Sequence, residues 1–293
     1  MNSIPSVAAL RAALPYLQLF RNQLFVVKCG GEALETPALL RGLVEQIALL
    51  HQVGIRVILV HGGGKQASDL GEKLGIASAF VDGRRVTSKE QIGAMVMSLN
   101  GTAQATILAT FRELGLGAAG VSGIDAGLIL AERKPPIETT EGVVDFGEVG
   151  KIAQVNGQVL HALMNDDLVP VVSPLSADAQ GRLLNINADD VAAAIAVSLG
   201  AKKLILLTQP RGILADIKDP QTLLSQLTLA ELSALEENGT IQTGMMPKAG
   251  AIRAALEGGV ERVHVVSFAF PDALLTEVFT NEGCGTMIVR GDV

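Results

Sequence analysis

The chain has 293 residues, 48% hydrophobic and 18% charged, which is a globular composition with enough length for a sizeable core. A formal net charge of -7 argues against a general binder of nucleic acid or of an anionic membrane surface, so basic residues matter where they cluster locally. The chain has no tryptophan and a single tyrosine, which leaves little surface for base stacking, and Cys29 and Cys284 are too few for a disulfide scaffold, so a reducing, cytoplasmic setting is expected.

No unbroken apolar run reaches the roughly 18 residues of a membrane span. Arg11 interrupts the first apolar stretch, which reads as an amphipathic helix rather than a signal peptide. Val7, Leu10, Leu14 and Leu17 lie near one face of it, and Pro15 bends or divides it. That face needs a cover, from its own domain or from another subunit. Leu24–Lys28 is a short strand ending at Gly30-Gly31. Thr36 as N-cap and Pro37 at the first helical position start a helix with the stripe Leu39, Leu40, Leu43, Ile47 and Leu50. Ile55–Val60 reads as a strand buried on both faces, followed by His61–Gly64 and a second helix to about Leu74. Phe80–Val86 is extended with a turn at Asp82-Gly83, and Ser88 with Gln91 forms a capping box for a long helix to Leu114. After an Ala118–Val121 strand, Gly147, Gly150 and Gly157 divide Val143–Leu160 into hairpins.

The second half predicts a strand at Leu168–Val172, a hairpin arm at Gly181–Ile186, a helix at Asp189–Leu199 and a strand at Lys203–Leu207. Met245–Leu256 and Pro271–Phe279 read as helices, Val263–Val266 and Thr286–Val289 as strands. This alternation implies an α/β fold whose largely parallel sheet, with right-handed crossovers, is shared by two lobes divided near Asp166.

The chemistry sits at a few junctions. Lys28 lies in Val-Val-Lys-Cys-Gly-Gly at 26–31, and Lys248 in Thr-Gly-Met-Met-Pro-Lys at 243–248. Glycines let main-chain N–H groups approach an anion and a lysine adds a mobile positive charge, so two such assemblies suit a polyphosphate. His61-Gly62-Gly63-Gly64 between a strand and a helix offers an anion nest, though a tight turn has the same composition. Gly62, Gly64 and Ala67 also match a dinucleotide fingerprint, but its expected acid, Asp82, lies in a turn rather than at a strand end. Lys65 after Gly64 is followed by Gln66, so no P-loop is present. Arg85 just ahead of the capped helix suits a carboxylate ligand, whereas Arg84 reads as a solvated charge. Asn185 and Asp189 flank a strand-to-helix junction, where Asp189 serves either as helix cap or as a site residue. Lys28 has the plainer reading of a snorkelling strand end, and Cys29 that of a packed small residue. His51, His61, His161 and His264 show no ligand spacing, so no protein-held metal is expected.

Together these segments resemble the amino acid kinase family, and within it the branch that phosphorylates N-acetyl-L-glutamate, over about residues 8 to 290. The markers are the 26–31 segment, Val-His-Gly-Gly-Gly at 60–64, Asp-Gly-Arg-Arg-Val-Thr at 82–87 and Asn-Ile-Asn-Ala-Asp at 185–189. Leu-Ile-Leu-Leu-Thr at 204–208, Gly-Met-Met-Pro-Lys at 244–248 and Glu-Gly-Cys-Gly-Thr-Met-Ile at 282–288 complete them. The resemblance implies a three-layer αβα sandwich and ATP-dependent phosphorylation of the side-chain carboxylate of N-acetyl-L-glutamate in arginine biosynthesis, with Mg2+ on the nucleotide. It assigns Lys28, Lys248 and Asp189 to catalysis, and Gly62, Gly63, Gly64, Arg85 and Asn185 to the acceptor. Gly30, Gly31, Thr208, Gln209, Gly244 and Met245 fall to the nucleotide. It further implies an oligomerisation helix over 1–20, an amino-acid lobe over 21–166 and a nucleotide lobe over 167–293. A homo-oligomer, dimer or hexamer, and feedback by arginine at His264, Glu282, Gly283 and Gly285 are expected in the same way. Gln209, Pro210, Thr243, Glu32 and Cys29 depart from the family pattern, which keeps open an N-acylated aminoadipate acceptor or a non-catalytic amino-acid sensor.

Overall fold

The computed structural model describes residues 7–82, 84–139, 142–216, 219, 221–241 and 244–291; Gly83 and Thr243 lie outside them. Helix α1 (Val7–Phe20) carries Pro15 and leads into β1 (Leu24–Cys29), all six residues of which are buried. A single 3-10 turn links β1 to α2 (Pro37–Gln52), which Thr36 caps by accepting from Leu39 N–H. Then come β2 (Arg56–His61), α3 (Gly64–Lys73) and the hairpin β3 (Ala79–Val81) and β4 (Arg84–Val86). The Ser88/Gln91 capping box forms and opens α4 (Lys89–Val96). The predicted long helix then widens into a π-turn over Met97–Ala103 before α5 (Gln104–Glu113). Lys89–Glu113 is long and apolar enough to cross a membrane, but its residues Ile92, Met95, Leu99, Ile107 and Phe111 are core.

The middle of the chain is β5 (Ala118–Ser122), β6 (Ile129–Arg133), β7 (Ile137–Thr139), β8 (Gly142–Val144) and β9 (Gly150–Val155). Gly157, expected to be a hairpin break, is instead the N-cap of α6 (Gln158–Asn165). Next are β10 (Val169–Ser173), β11 (Leu175–Ala177), β12 (Leu183–Asn185), α7 (Ala188–Ser198) and β13 (Lys203–Thr208). β14 (Gln226–Thr228) and α8 (Leu229–Glu237) were not expected, although Thr228 and Glu231 form a full capping box. The chain closes with α9 (Met246–Glu257), β15 (Arg262–Ser267), α10 (Ala273–Phe279) and β16 (Thr286–Val289).

An eight-stranded sheet in the order β14-β16-β15-β13-β1-β2-β10-β5 runs through the molecule, and only β15 with β16 is antiparallel in it. Side chains alternate across a strand. Leu24 and Val26 therefore join Ile58, Leu204 and Leu206 in a core beneath α7 and α9. Phe25, Val27 and Cys29 join Leu59, Ile205 and Leu207 in a second core beneath α2, α5 and α10. The result is the three-layer αβα sandwich, with one sheet common to both halves. Period two also decides where Lys28 goes: it follows Val26 onto the α7/α9 face, while Cys29 is packed on the other. Burial pushes the Cys29 thiol up to about 12, so it is an inert packing residue.

A smaller sheet, β12-β11-β6-β9, is formed by strands that follow β5 and β10 along the chain. The stretch 146–149 threads between it and β4. Thr87 N–H donates to Phe146 O, Glu148 N–H to Thr87 O, and Asn185 N–H to Glu148 O, at 3.0, 2.7 and 2.8 Å. Gly147 is required there, because its φ is +73° and a Cβ would stand 2.3 Å from Thr87 O.

Candidate active site

Three elements bring charge to one point. Lys28 is the penultimate residue of β1, Asp189 lies in the first turn of α7, and Lys248 in the first turn of α9 after Pro247. Lys28 Nζ is 2.9 Å from Asp189 Oδ1, and Lys248 Nζ is 2.9 and 3.0 Å from Oδ1 and Oδ2. Asp189 does not cap its helix. Asn187 does, its Oδ1 accepting from Asp189 N–H at 2.7 Å, which frees the Asp189 carboxylate to hold the lysines. Burial pushes the Asp189 carboxyl upward, but the ammonium groups of Lys28 and Lys248 outweigh it and keep it below its ordinary value. Burial and then repulsion from Lys28 pull Lys248 down, opposed by Asp189. Two ammonium groups share one carboxylate in a nearly dry place, with Glu32 the next carboxylate acting on Lys248, so two cations meet an anion entering the cavity.

The glycine loops border that point. Gly62 N–H donates to Cys29 O at 2.8 Å, and a Cβ on Gly31 would come within 3.1 Å of Gly63 Cα, so the loops after β1 and β2 lie backbone to backbone. The π-turn matters here: it drives Leu99 against Gly63, where a Cβ would meet Leu99 Cδ2 at 2.6 Å. A cavity of about 520 Å³ opens from the lysines, lined by Gly30, Glu32 and Asp189 and by the apolar Leu207, Ile213, Leu214, Ile241 and Met245. Thr208, Gln209 and Gly244, three of the residues that the resemblance assigns to the nucleotide, also line it; Gly31 is not among the lining residues. The apolar wall of Ile213, Leu214 and Ile241 was not anticipated, because no motif marks those residues in the chain.

On the other side of the glycine loops, the β3–β4 hairpin presents Arg85. Its Nη2 donates to Gly64 O at 2.7 Å and Ser68 Oγ at 2.6 Å, its Nη1 to Ser78 Oγ at 2.9 Å, and its guanidinium stands 4.7 Å from the Phe80 ring centre. Asn185 Nδ2 donates to Thr87 Oγ1 at 3.3 Å, so the two expected acceptor-holding side chains belong to one stitched unit. Arg84 is exposed, as a solvated charge should be.

His264 belongs to a separate buried cluster on the opposite sheet face. Lys203 Nζ lies 3.0 Å from His264 Nε2, and His264 Nδ1 lies 2.7 Å from Glu277 Oε1. Lys203 donates to Nε2, so the imidazole proton is on Nδ1 and is donated to Glu277. Glu277 Oε2 accepts from Cys284 and Gly285 N–H at 2.8 and 3.0 Å, and a Cβ on Gly283 would meet that oxygen at 2.7 Å. Glu282, expected beside His264, is exposed instead; the carboxylate there is Glu277, turned inward by α10.

Burial holds His61 and His264 at about 4, so both are neutral near pH 7. The unfolded chain takes up these protons near the ordinary value of about 6.5, where the folded chain does not. Stability is therefore expected to fall as pH drops from about 6.5 toward 4, with the melting temperature at pH 5 at least about 5 °C below that at pH 7. A flat melting temperature across that window contradicts the assignment.

The family model for the amino acid kinase family matches residues 23–267. The chain belongs to the amino acid kinase family. It is 48% identical over 289 residues to an acetylglutamate kinase of Myxococcus xanthus, covering 97% of this chain and 94% of that protein. An acetylglutamate kinase of Archaeoglobus fulgidus is 41% identical over 287 residues, covering 97% and 99%. Among solved structures, N-acetylglutamate synthase from Neisseria gonorrhoeae with coenzyme A and N-acetyl-glutamate superposes with TM-score 0.85 at 29% identity. It covers 99% of this chain, which spans 65% of the synthase. Carbamate kinase from Giardia lamblia, at 16% identity and TM-score 0.66 over 92% of this chain and 99% of that one, shares the fold. As a family member the chain is a phosphotransferase that uses ATP.

Proposed function

We propose that this enzyme transfers the γ-phosphoryl group of ATP to the side-chain carboxylate of N-acetyl-L-glutamate, yielding an acyl phosphate and ADP. The observation that carries the proposal is the meeting of Lys28 and Lys248 on Asp189 beside the glycine loops. A carboxylate is already ionised near pH 7, so it attacks phosphorus without a general base. The acceptor oxygen–phosphorus bond forms as the bond from phosphorus to the β,γ-bridging oxygen breaks, and ADP leaves with that electron pair. The obstacle is anion meeting anion, and the protein answers it with position and positive charge. Asp189 holds both ammonium groups at the place where charge builds, and the loops at 30–31 and 63–64 supply N–H donors, Gly62 N–H being engaged with Cys29 O.

The cavity between Thr208 and Met245 takes the nucleotide, its aliphatic wall receiving the base. Mg2+ fits as part of that nucleotide: Asp189 is committed to the lysines, and among the described residues no group of three ligating side chains is gathered elsewhere. Bound there, it neutralises phosphate charge. Arg85 keeps Nε–H for the acceptor α-carboxylate, and Asn185 is tied to the end of the same hairpin through Thr87. In this reading residues 21–166 form the acceptor lobe and 167–293 the nucleotide lobe of a cytoplasmic enzyme. An ADP-release assay with N-acetylglutamate, N-acetylaminoadipate, aspartate and carbamate tests it. N-acetylglutamate is expected to give the highest kcat/KM; a preference for any other acceptor, or no turnover at all, removes the reading.

Arginine is the effector proposed for the His264–Glu277–Gly285 cluster, where it would displace part of the hydrogen bonding that now holds Glu277, and α1 is the proposed oligomer contact. Glu277→Gln is expected to abolish arginine inhibition while wild type is inhibited, and deletion of residues 1–20 to reduce particle mass by light scattering. Equal inhibition of both proteins, or an unchanged mass, removes the respective assignment.

A further inference from the structure

Gln66 is a side chain between the glycine loops that neither the lysine pair nor the acceptor unit uses. It stands in the first turn of α3, and its Nε2 reaches back to donate to Gly31 O at 2.7 Å. Its Oε1 is buried and has no hydrogen-bond partner. A Cβ on Gly31 would lie 2.3 Å from that oxygen, and one on Gly63 3.7 Å from it, so the amide is wedged where the two loops meet.

An unpaired buried amide oxygen costs about 1–3 kcal/mol, so an apolar residue of similar length is the cheaper filler for the fold. What only the amide supplies is the donor to Gly31 O. Gly31 has no side chain to limit its ψ, and the peptide following it is planar. Anchoring its carbonyl sets that peptide, and with it the Glu32 N–H and the exit of Glu32 into the cavity, and it pins in place the loop that carries the N–H groups of 30 and 31.

We propose that Gln66 is a positioning residue that staples the Gly30–Gly31 loop to the His61–Gly64 loop, so that both sets of N–H donors meet the transferring phosphoryl group in one arrangement. This rests on the phosphoryl-transfer reading above. Gln66→Met keeps length and removes the donor. Gln66→Glu places a carboxylate against Gly31 O, and that carboxyl regains a donor when protonated, which burial brings toward neutral pH.

The test is steady-state kinetics from pH 6 to 8, thermal unfolding, and hydrogen exchange at residues 30–33 of the substrate-free enzyme. Gln66→Met is expected to lose about 10- to 100-fold in kcat with both KM values within about threefold and no loss of melting temperature. Gln66→Glu is expected to recover at least about tenfold in kcat relative to wild type as pH falls from 8 to 6, because the carboxyl again donates. Exchange at 30–33 is expected to quicken in Gln66→Met. A Gln66→Met kcat within twofold of wild type, a Gln66→Glu profile parallel to wild type, or unchanged exchange each overturns the staple. A wild type without turnover on any acceptor sinks the kinase reading instead, and hydrogen exchange still decides the staple.

Discussion

Lys28→Ala and Lys248→Ala are each expected to lower kcat by about 10²- to 10³-fold while both KM values move by only a few fold. The reason lies in the timing of charge. In the proposed reading the cavity wall and N–H groups hold the nucleotide before reaction and Arg85 holds the acceptor, so one ammonium adds little to ground-state affinity. As the phosphoryl group leaves ADP for the acceptor, charge gathers on its equatorial oxygens and on the leaving oxygen, where a preorganised cation acts fully. Lys28 arrives there by strand alternation and Lys248 by its place in the first turn of α9, so neither has to move far. Steady-state kinetics with each substrate varied is the check. A rise in KM equal to the loss in kcat/KM, with kcat preserved, contradicts a transition-state role.

Asp189→Asn is expected to be the most damaging single change to the fold and the activity together. It leaves two ammonium groups, almost buried, with no carboxylate between them. Breaking a buried ionic group by removing one partner costs about 3–5 kcal/mol. One lysine escapes by losing its proton, which removes a cation from the reaction centre, so kcat falls at least as far as in the lysine variants. The pH dependence has a definite sign. A lysine whose folded pKa is depressed binds fewer protons than in the unfolded chain, so stability rises with pH between the depressed value and about 10.4. Melting temperatures of Asp189→Asn are expected to approach the wild-type values as pH rises from 7 to 9. A constant difference from wild type across that range means that the lysines do not depend on Asp189 for their charge.

The parallel sheet was legible because its central strands are buried on both faces and so are written as continuous apolar runs, as at Leu24–Val27 and Val57–Val60. Caps were legible where the chemistry is local, at Thr36-Pro37 and at Ser88 with Gln91. The same logic applied to Thr228 and Glu231 reveals α8, which the prediction passed over. The π-turn has no local signature: it arises because Leu99 must close over Gly63 while α5 still packs on β5. For Asp189, two side chains two residues apart both have capping chemistry. Only the arrival of lysines from distant elements decides that Asn187 caps and Asp189 serves the site. Glu282 came from the resemblance of the Glu282-Gly283 segment, which left Glu277 out. Helix α10 turns Glu277 inward instead, and a helical register carries that information only once the neighbouring strand is known.

The account depends on both ammonium groups touching the same phosphoryl group in flight. A crystal structure with ADP, Mg2+, aluminium fluoride and N-acetylglutamate tests this directly. Lys28 Nζ and Lys248 Nζ are each expected within about 3.2 Å of a fluoride or of the bridging leaving oxygen, with Asp189 between them. A complex in which either nitrogen turns away from the fluoride, or pairs with a group outside the reaction centre, contradicts it.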